Sequence, residues 1–449
     1  MDSSLMTFFN MAAPVPGRCA FFVEKKNRFC KMIVGRGKKF CGQHATMEEG
    51  GSRRIVCPLD PKHTVTEDKL DKHLKKCNSR DKPKPVYYVE NINAGSADGD
   101  ESVPPGSETR FYFLIQSVRV SQALTTVVVG LQCDVGDSVL SHHVLQDELS
   151  NPKNGDSAHK HLKQQSSILG HLEELGLLGG RRCFVEFGAG RGKLSHWIHE
   201  ALKTCEDLQL LLVERCCTRF KVDGKHQDAG VQFQRLQVDI QHLDLSKVPL
   251  LRQKKPPLVG IGKHLCGAAT DLALRCLLER PGLRGGKPDP GPASDCGPGS
   301  GSVLDPGLGP ILGLAVALCC HHRCEWRHYV GQQFFLQRGL GAAEFSAFCR
   351  MSSWATCGVR PTNQDCPPQR RHDEEHEPAE EADRVNGFLS AAEREHVGRL
   401  CKLLIDSGRL DFLQTKGFSG KLTHYVDPQV TLENVLLTAV PSAESSTPS

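Results

Sequence analysis

From residue 183 onward, short apolar runs recur between amphipathic stretches. "CFVEF" (183–187), "LQLLLVE" (208–214), "LQVDI" (236–240), "LVGIGKHL" (258–265) and "ILGLAVALC" (311–319) read as five strands. The runs are continuous rather than alternating, which suits strands covered on both faces of a parallel sheet. Helical spacing of apolar positions recurs in "SAHKHLKQQSSILGHLEEL" (157–175), from Ala269 to Leu278, and over 391–407. Two more strands, "KLTHYVD" (421–427) and "NVLLTAV" (434–440), follow the last helix. Strand and helix in alternation predict an α/β domain over 155–440 with a mostly parallel seven-stranded sheet.

Elsewhere the pattern fails, and each failure carries information. Residues 17–86 have few apolar positions but are rich in Cys and His. Residues 90–150 read as an irregular linker containing "GSADGDESVPPGSE". Two Pro/Gly- or charge-rich insertions, 281–309 and 361–386, and the 441–449 tail have the composition of disordered segments. The apolar stretch from Phe111 to Leu131 contains Gln116, Arg119 and Gln122, which argues against a membrane span.

The chain has 449 residues, enough for more than one domain, with 39% hydrophobic and 24% charged residues, near the globular norm. Net charge is only +4, yet 17–86 holds 18 Lys and Arg against 8 Asp and Glu. A basic module beside a mildly acidic body points to a polyanion partner such as RNA. Twenty cysteines without a secretory leader read as reduced thiols of an intracellular protein, nuclear or cytoplasmic. Clustered with histidine, such thiols point to metal.

Two four-ligand sets follow one another in the basic module. Cys19, Cys30, Cys41 and His44 form the first, within 17–46; Cys57, His63, His73 and Cys77 form the second, within 54–80. Four soft or borderline ligands match tetrahedral structural Zn2+, and metal supplies the folding energy that so small a core lacks. A third concentration, "ALCCHHRCEWRHYVG" (317–331), follows strand five. Adjacent ligands at Cys319, Cys320, His321 and Cys324 chelate poorly without a partner such as Cys266 or Cys357.

"VEFGAGRGKLS" (185–195) joins strand one to the next helix. It lacks the spacing of a phosphate P-loop, and Lys193 stands where a dinucleotide fingerprint needs its third glycine. What remains is Glu186 followed by Gly188, Gly190 and Gly192, a loop suited to S-adenosylmethionine. Glu214 ends strand two, where a carboxylate can accept ribose hydroxyls, and Asp239 ends strand three near the expected adenine edge.

Taken in order, the two Cys/His sets, "KHLKQQSSILG", "CFVEFGAGRGKLSHW", "TRFKVDGKH", "GIGKHLCGAATDLALRC", "ALCCHHRCEWRHYVG", "RMSSWATCG" and "DPQVTLENVLLTA" resemble one family. The chain is similar to the eukaryotic tRNA ribose 2'-O-methyltransferases acting on nucleotide four of the acceptor stem. The resemblance spans 18–93 and 140–440 apart from the two insertions. It implies a class I methyltransferase fold, S-adenosylmethionine, Zn2+ and a tRNA substrate; separately, no membrane and no obligate protein partner are expected. The second finger resembles a type also found in a minor-spliceosome protein. One stretch departs from the family: 106–130 is apolar and β-prone where a polar, helix-forming connector is expected.

A ribose hydroxyl is a poor nucleophile, so a base or an electrostatic stabiliser is needed at the carboxyl ends of the strands. Lys263 and His264, ending strand four, and His321 and His322, after strand five, are the candidates. Lys193 and Arg323 are candidates for holding phosphates. The alternative is a zinc-finger RNA-binding protein with a non-catalytic methyltransferase-like domain; the intact glycine loop argues against it.

Overall fold

The structure is a computed structural model and describes residues 15–24, 28–42, 44, 54–77, 79–80, 83–95, 134–216, 232–279, 308–356 and 389–442. The apolar 106–130 stretch, the "TRFKVDGKH" motif, Cys357, the 361–386 insertion and nearly all of 281–309 lie outside these residues. The chain divides into two units, Met1–Lys84 and Pro85–Ser449.

The first unit is built around its Cys/His sets. β1 (Phe22–Val23) and β2 (Arg28–Phe29) pair antiparallel, with Phe22 edge-on to Phe29 at 5.2 Å. β3 (Arg54–Cys57) and β4 (Asp60–Thr66) form a hairpin, followed after a 3-10 turn by α1 (Leu70–Leu74). Among the described residues, the apolar side chains buried in this unit are four ligand cysteines and Val65, too small a core to hold the fold alone.

The second unit holds β5 (Gly136–Asp137), α2 (Gln146–Leu149), α3 (Asp156–Glu174), β6 (Cys183–Phe187), α4 (Lys193–Ala201), β7 (Gln209–Glu214) and β8 (Gln232–Gln237). Then come α5 (Pro249–Lys254), β9 (Leu258–Cys266), α6 (Ala268–Leu278), β10 (Ile311–Cys319), α7 (Gln332–Leu336), α8 (Ala342–Ser352), α9 (Ala391–Thr415), β11 (Phe418–His424) and β12 (Val435–Pro441). The sheet order is β5-β11-β12-β10-β9-β6-β7-β8. Only β12 runs antiparallel to its neighbours. Continuous apolar strands are buried here on both faces, as expected. One face packs Val185, Leu211 and Val316 against α6, and the other packs Phe184, Leu210 and Ala315 against α3 and α4.

Four features differ from the sequence reading. The sheet has eight strands rather than seven, because Gly136 and Asp137 pair with Thr423 and His424 and cover the β11 edge. The third strand lies at Gln232–Gln237 and shares only the first two residues of "LQVDI", since an edge strand needs only half-buried alternation. α9 runs to Thr415 instead of stopping near 407: Gly408 reads as a breaker, but a Cβ there would collide with the Tyr329 hydroxyl. Finally, residues 90–95 of the expected linker, with 85–89 before them, belong to the second unit. Tyr88 bridges to Leu243, and the buried Asn93 amide donates to the carbonyls of Ile240 (2.6 Å) and Leu243 (2.8 Å).

Between β10 and α9 lies an aromatic cluster that the apolar-run pattern does not reveal. The rings of Tyr329, Phe335 and Phe345 lie 4.4–5.4 Å from one another, Phe335 edge-on to the other two, and pack on Cys401, Leu404 and Ile405 of α9.

Candidate active site and metal centres

The glycine loop begins where β6 ends in the middle of the sheet. Gly188, Gly190 and Gly192 all have positive φ (62°, 49° and 70°), a conformation side chains resist. A Cβ on Gly190 would meet nothing closer than 4.0 Å, so this position opens onto free space that a ligand can fill. That space is a cavity of about 930 Å³ lined by Gly188 and Gly190, by His161 and Gln165 of α3, and by Glu186 and Lys263.

Glu186 is buried and accepts from the Ser195 backbone N–H at 3.1 Å and from the Ser195 hydroxyl. It thereby satisfies a free N–H at the start of α4. Burial pushes its carboxyl up to about 7, against the Ser195 hydrogen bonds, which favour the charged form. Glu214 is tied to the loop: one oxygen accepts from Gly190 N–H at 2.9 Å, the other from Cys216 N–H at 3.0 Å. Each carboxylate oxygen keeps further acceptor capacity for a ligand hydroxyl. Asp239 accepts from Gln241 N–H at 3.1 Å and caps a 3-10 turn beside the same sheet edge.

Of the four catalytic candidates, Lys263 lines this cavity. It is buried, and burial lowers its ammonium to about 8, opposed by the Glu186 charge and aided by that of Lys193. Its Nζ lies 3.1 Å from His161 Nδ1. That distance leaves room for one shared proton and not for two cations. Burial, then the Lys263 charge, holds the His161 imidazole below its ordinary value. His161 was missed in the sequence reading although it stands in "KHLKQQSSILG"; a histidine on a helix announces nothing without its partner. The side chain of His264 lies outside the described residues.

His321 and His322 are placed elsewhere. His321 is buried with Nε2 at 2.9 Å from both oxygens of Asp406, while its Nδ1 has no hydrogen-bond partner. Asp406 also accepts from Arg409 Nη1 (2.8 Å), and Arg409 binds Asp271 through Nη2 (2.7 Å) and Nε (3.1 Å). All four side chains are buried, so this is an internal ion network tying β10, α6 and α9 together. His322 and Arg323 are exposed on the turn, and Lys193 is exposed at the cavity mouth.

In the first unit, Cys19, Cys30, Cys41 and His44 bring one ligand atom each within 4.8 Å of one another, and so do Cys57, His63, His73 and Cys77. Phe21 stacks on His44 at 3.9 Å. His63 turns Nε2 to its set and Nδ1 to Asp60 at 3.4 Å, the carboxylate–imidazole arrangement that orients a metal-ligating histidine. Asp60 is a supporting residue that ligand spacing alone does not disclose.

The family described as "Methyltransferase TRM13" matches residues 163–440. The chain belongs to this family. Two further matches are "CCCH zinc finger in TRM13 protein" over 17–45 and "U11-48K-like CHHC zinc finger" over 54–78. The chain is 50% identical to the mouse "tRNA:m(4)X modification enzyme TRM13 homolog", covering 99% of both chains. It is 50% identical to the human protein of that name, covering 96% of both. It is 30% identical to "tRNA:m(4)X modification enzyme TRM13" of Yarrowia lipolytica, over 94% of this chain and 89% of that one. As a TRM13-family member it is a methyltransferase that uses S-adenosylmethionine and carries Zn2+ in its two fingers. The open cradle at Gly190 and the two tetrads fit those groups. Among the described residues no helix is long and apolar enough to cross a membrane.

Proposed function

We propose that the chain methylates the ribose 2'-hydroxyl of nucleotide four in the acceptor stem of tRNA, with Lys263 as the group that takes the hydroxyl proton. The observation that carries the assignment is a buried amine, lowered to about 8, in the wall of the cavity that the glycine loop opens. When bound, S-adenosylmethionine supplies the electrophilic methyl group. Gly188, Gly190 and Gly192 let the backbone approach it, with Glu214 for its ribose and Asp239 for its adenine edge. Glu186 holds the loop to α4 through Ser195.

An amine near 8 is deprotonated in a useful fraction at neutral pH and still has the affinity to pull a proton from an alcohol. His161 shares a proton with Lys263 and keeps the amine aimed along one line. The basic finger-bearing segment supports an RNA substrate, because phosphate contacts depend on such charge. Nucleotide four rests on the names of the curated relatives and on the motif resemblance.

The test is transfer of labelled methyl from S-adenosylmethionine to bulk tRNA, followed by nuclease mapping. Label in a nuclease-resistant linkage after nucleotide four is expected. Label on a base, on protein, or on no RNA would overturn the assignment.

A further inference from the structure

Three cysteines at the carboxyl edge of the sheet have no part in the chemistry above. Cys266 ends β9 and Cys319 ends β10, and the two stand opposite one another in the parallel register. Their Sγ atoms are 3.6 Å apart. Cys320 follows in the left-handed region, at φ 53°, and its Sγ lies within 4.8 Å of both. Few non-glycine residues adopt that conformation. Here it is fixed by the Cys320 N–H donating to Glu433 Oε1 at 3.0 Å, while Lys402 holds the other Glu433 oxygen at 2.6 Å. All three are free thiols and partly exposed, so an ion can reach them.

The fingers provide an internal standard for the spacing. Both finger tetrads meet the same 4.8 Å limit, and Cys57 and Cys77 Sγ are 3.8 Å apart. Zinc–sulfur bonds of about 2.3 Å place tetrahedral sulfurs about 3.8 Å from one another.

We propose that Cys266, Cys319 and Cys320 bind a third zinc ion, held by three thiolates within the catalytic unit. Soft thiolates select zinc over the hard divalent ions. The neighbouring candidates from the sequence stand outside this group: His321 Nε2 bonds Asp406, and Cys324 bonds Arg409 Nη2 at 3.2 Å. A water molecule completes the fourth position. The ion clamps the ends of β9 and β10 together, three residues along β9 from Lys263.

Zinc content of the full chain, purified under reducing conditions and supplied with zinc, tests this without reference to methyl transfer. Three ions per chain are expected, two for the fingers and one here, falling to two in Cys320→Ser. Two ions in the unmodified chain, or three in Cys320→Ser, would overturn it. A second measurement needs no variant. With zinc bound, Cys266, Cys319 and Cys320 are expected to alkylate about tenfold more slowly than after chelation, on the general behaviour of metal-bound thiolates. Equal rates, or a Cys266–Cys319 disulfide in place of the ion, would also overturn it.

Discussion

The ends of β9 and β10 lie side by side at the same edge of the sheet, carry the same residue types, and do opposite work. At the end of β9, Lys263 Nζ is buried 3.1 Å from the neutral-leaning His161, and the Glu186 charge opposes the burial that lowers its ammonium. Burial disfavours its charged form, which is what the proposed role as proton acceptor requires. At the end of β10, His321 is locked at 2.9 Å from Asp406, which also receives Arg409. Burial alone would raise the Asp406 carboxyl, yet His321, Arg409 and Lys402 together hold it below its usual range. Where counter-charges outweigh burial the ionised form is kept; where burial outweighs them the neutral form gains. Burial is common to both, so the balance of charges around each group is what separates them.

Lys263→Met should break the comparison hardest. Methyl transfer is expected to fall roughly 100- to 10,000-fold, the range for losing a general base. In the unmodified chain the rate should rise with pH through about 8 as the amine loses its proton, and that rise should be absent in the variant. Stability should move the other way. The folded chain binds fewer protons than the unfolded one between about 8 and 10.5, so Lys263 costs stability below that window. The variant is therefore expected to melt no lower than the parent at pH 7. A melting temperature well below it would mean that Lys263 is structural after all.

Arg409→Met comes next. Removing the shared cation leaves Asp271 and Asp406 buried without it, at an expected cost of about 3–5 kcal/mol in denaturant unfolding. Because Asp406 sits below its unfolded value, the network contributes at neutral pH and loses that contribution as pH falls through the folded value. A loss of activity without loss of stability would move the network into the chemistry. The smallest effect belongs to His322→Ala. The side chain is exposed and outside the cavity wall, so stability should stay within about 0.5 kcal/mol and the methylation rate unchanged. A large drop in rate would place it on the substrate.

What the sequence disclosed followed from locality. The glycine loop, its strand and Glu186 lie within a few residues, so their joint meaning survives without a fold. The tetrads are legible for the same reason, since ligand spacing within a finger is short. The pairing of His321 is not legible because its partner lies 85 residues downstream, in a helix whose Asp and Arg look solvated on paper. His161 was passed over because it is 102 residues from Lys263. The aromatic cluster around Tyr329 escaped because its residues are spread over short helices with no long apolar run. Position along the chain carries chemistry well, and charge compensation poorly, because the latter is settled by packing.

The segment at 85–95 changes where this protein can be divided. Composition invites a cut near residue 150, with the fingers and a linker on one side. Such a cut would take Asn93 away from the Ile240 and Leu243 carbonyls, and Ala94 from His328 Nδ1 at 2.7 Å, stripping partners from groups 147 to 234 residues away in sequence. The catalytic unit begins with residues that precede its first helix by some 60 positions. Its seam with the rest of the chain is set by hydrogen bonds rather than by residue usage, and an isolated catalytic fragment has to begin before Tyr87 to be whole.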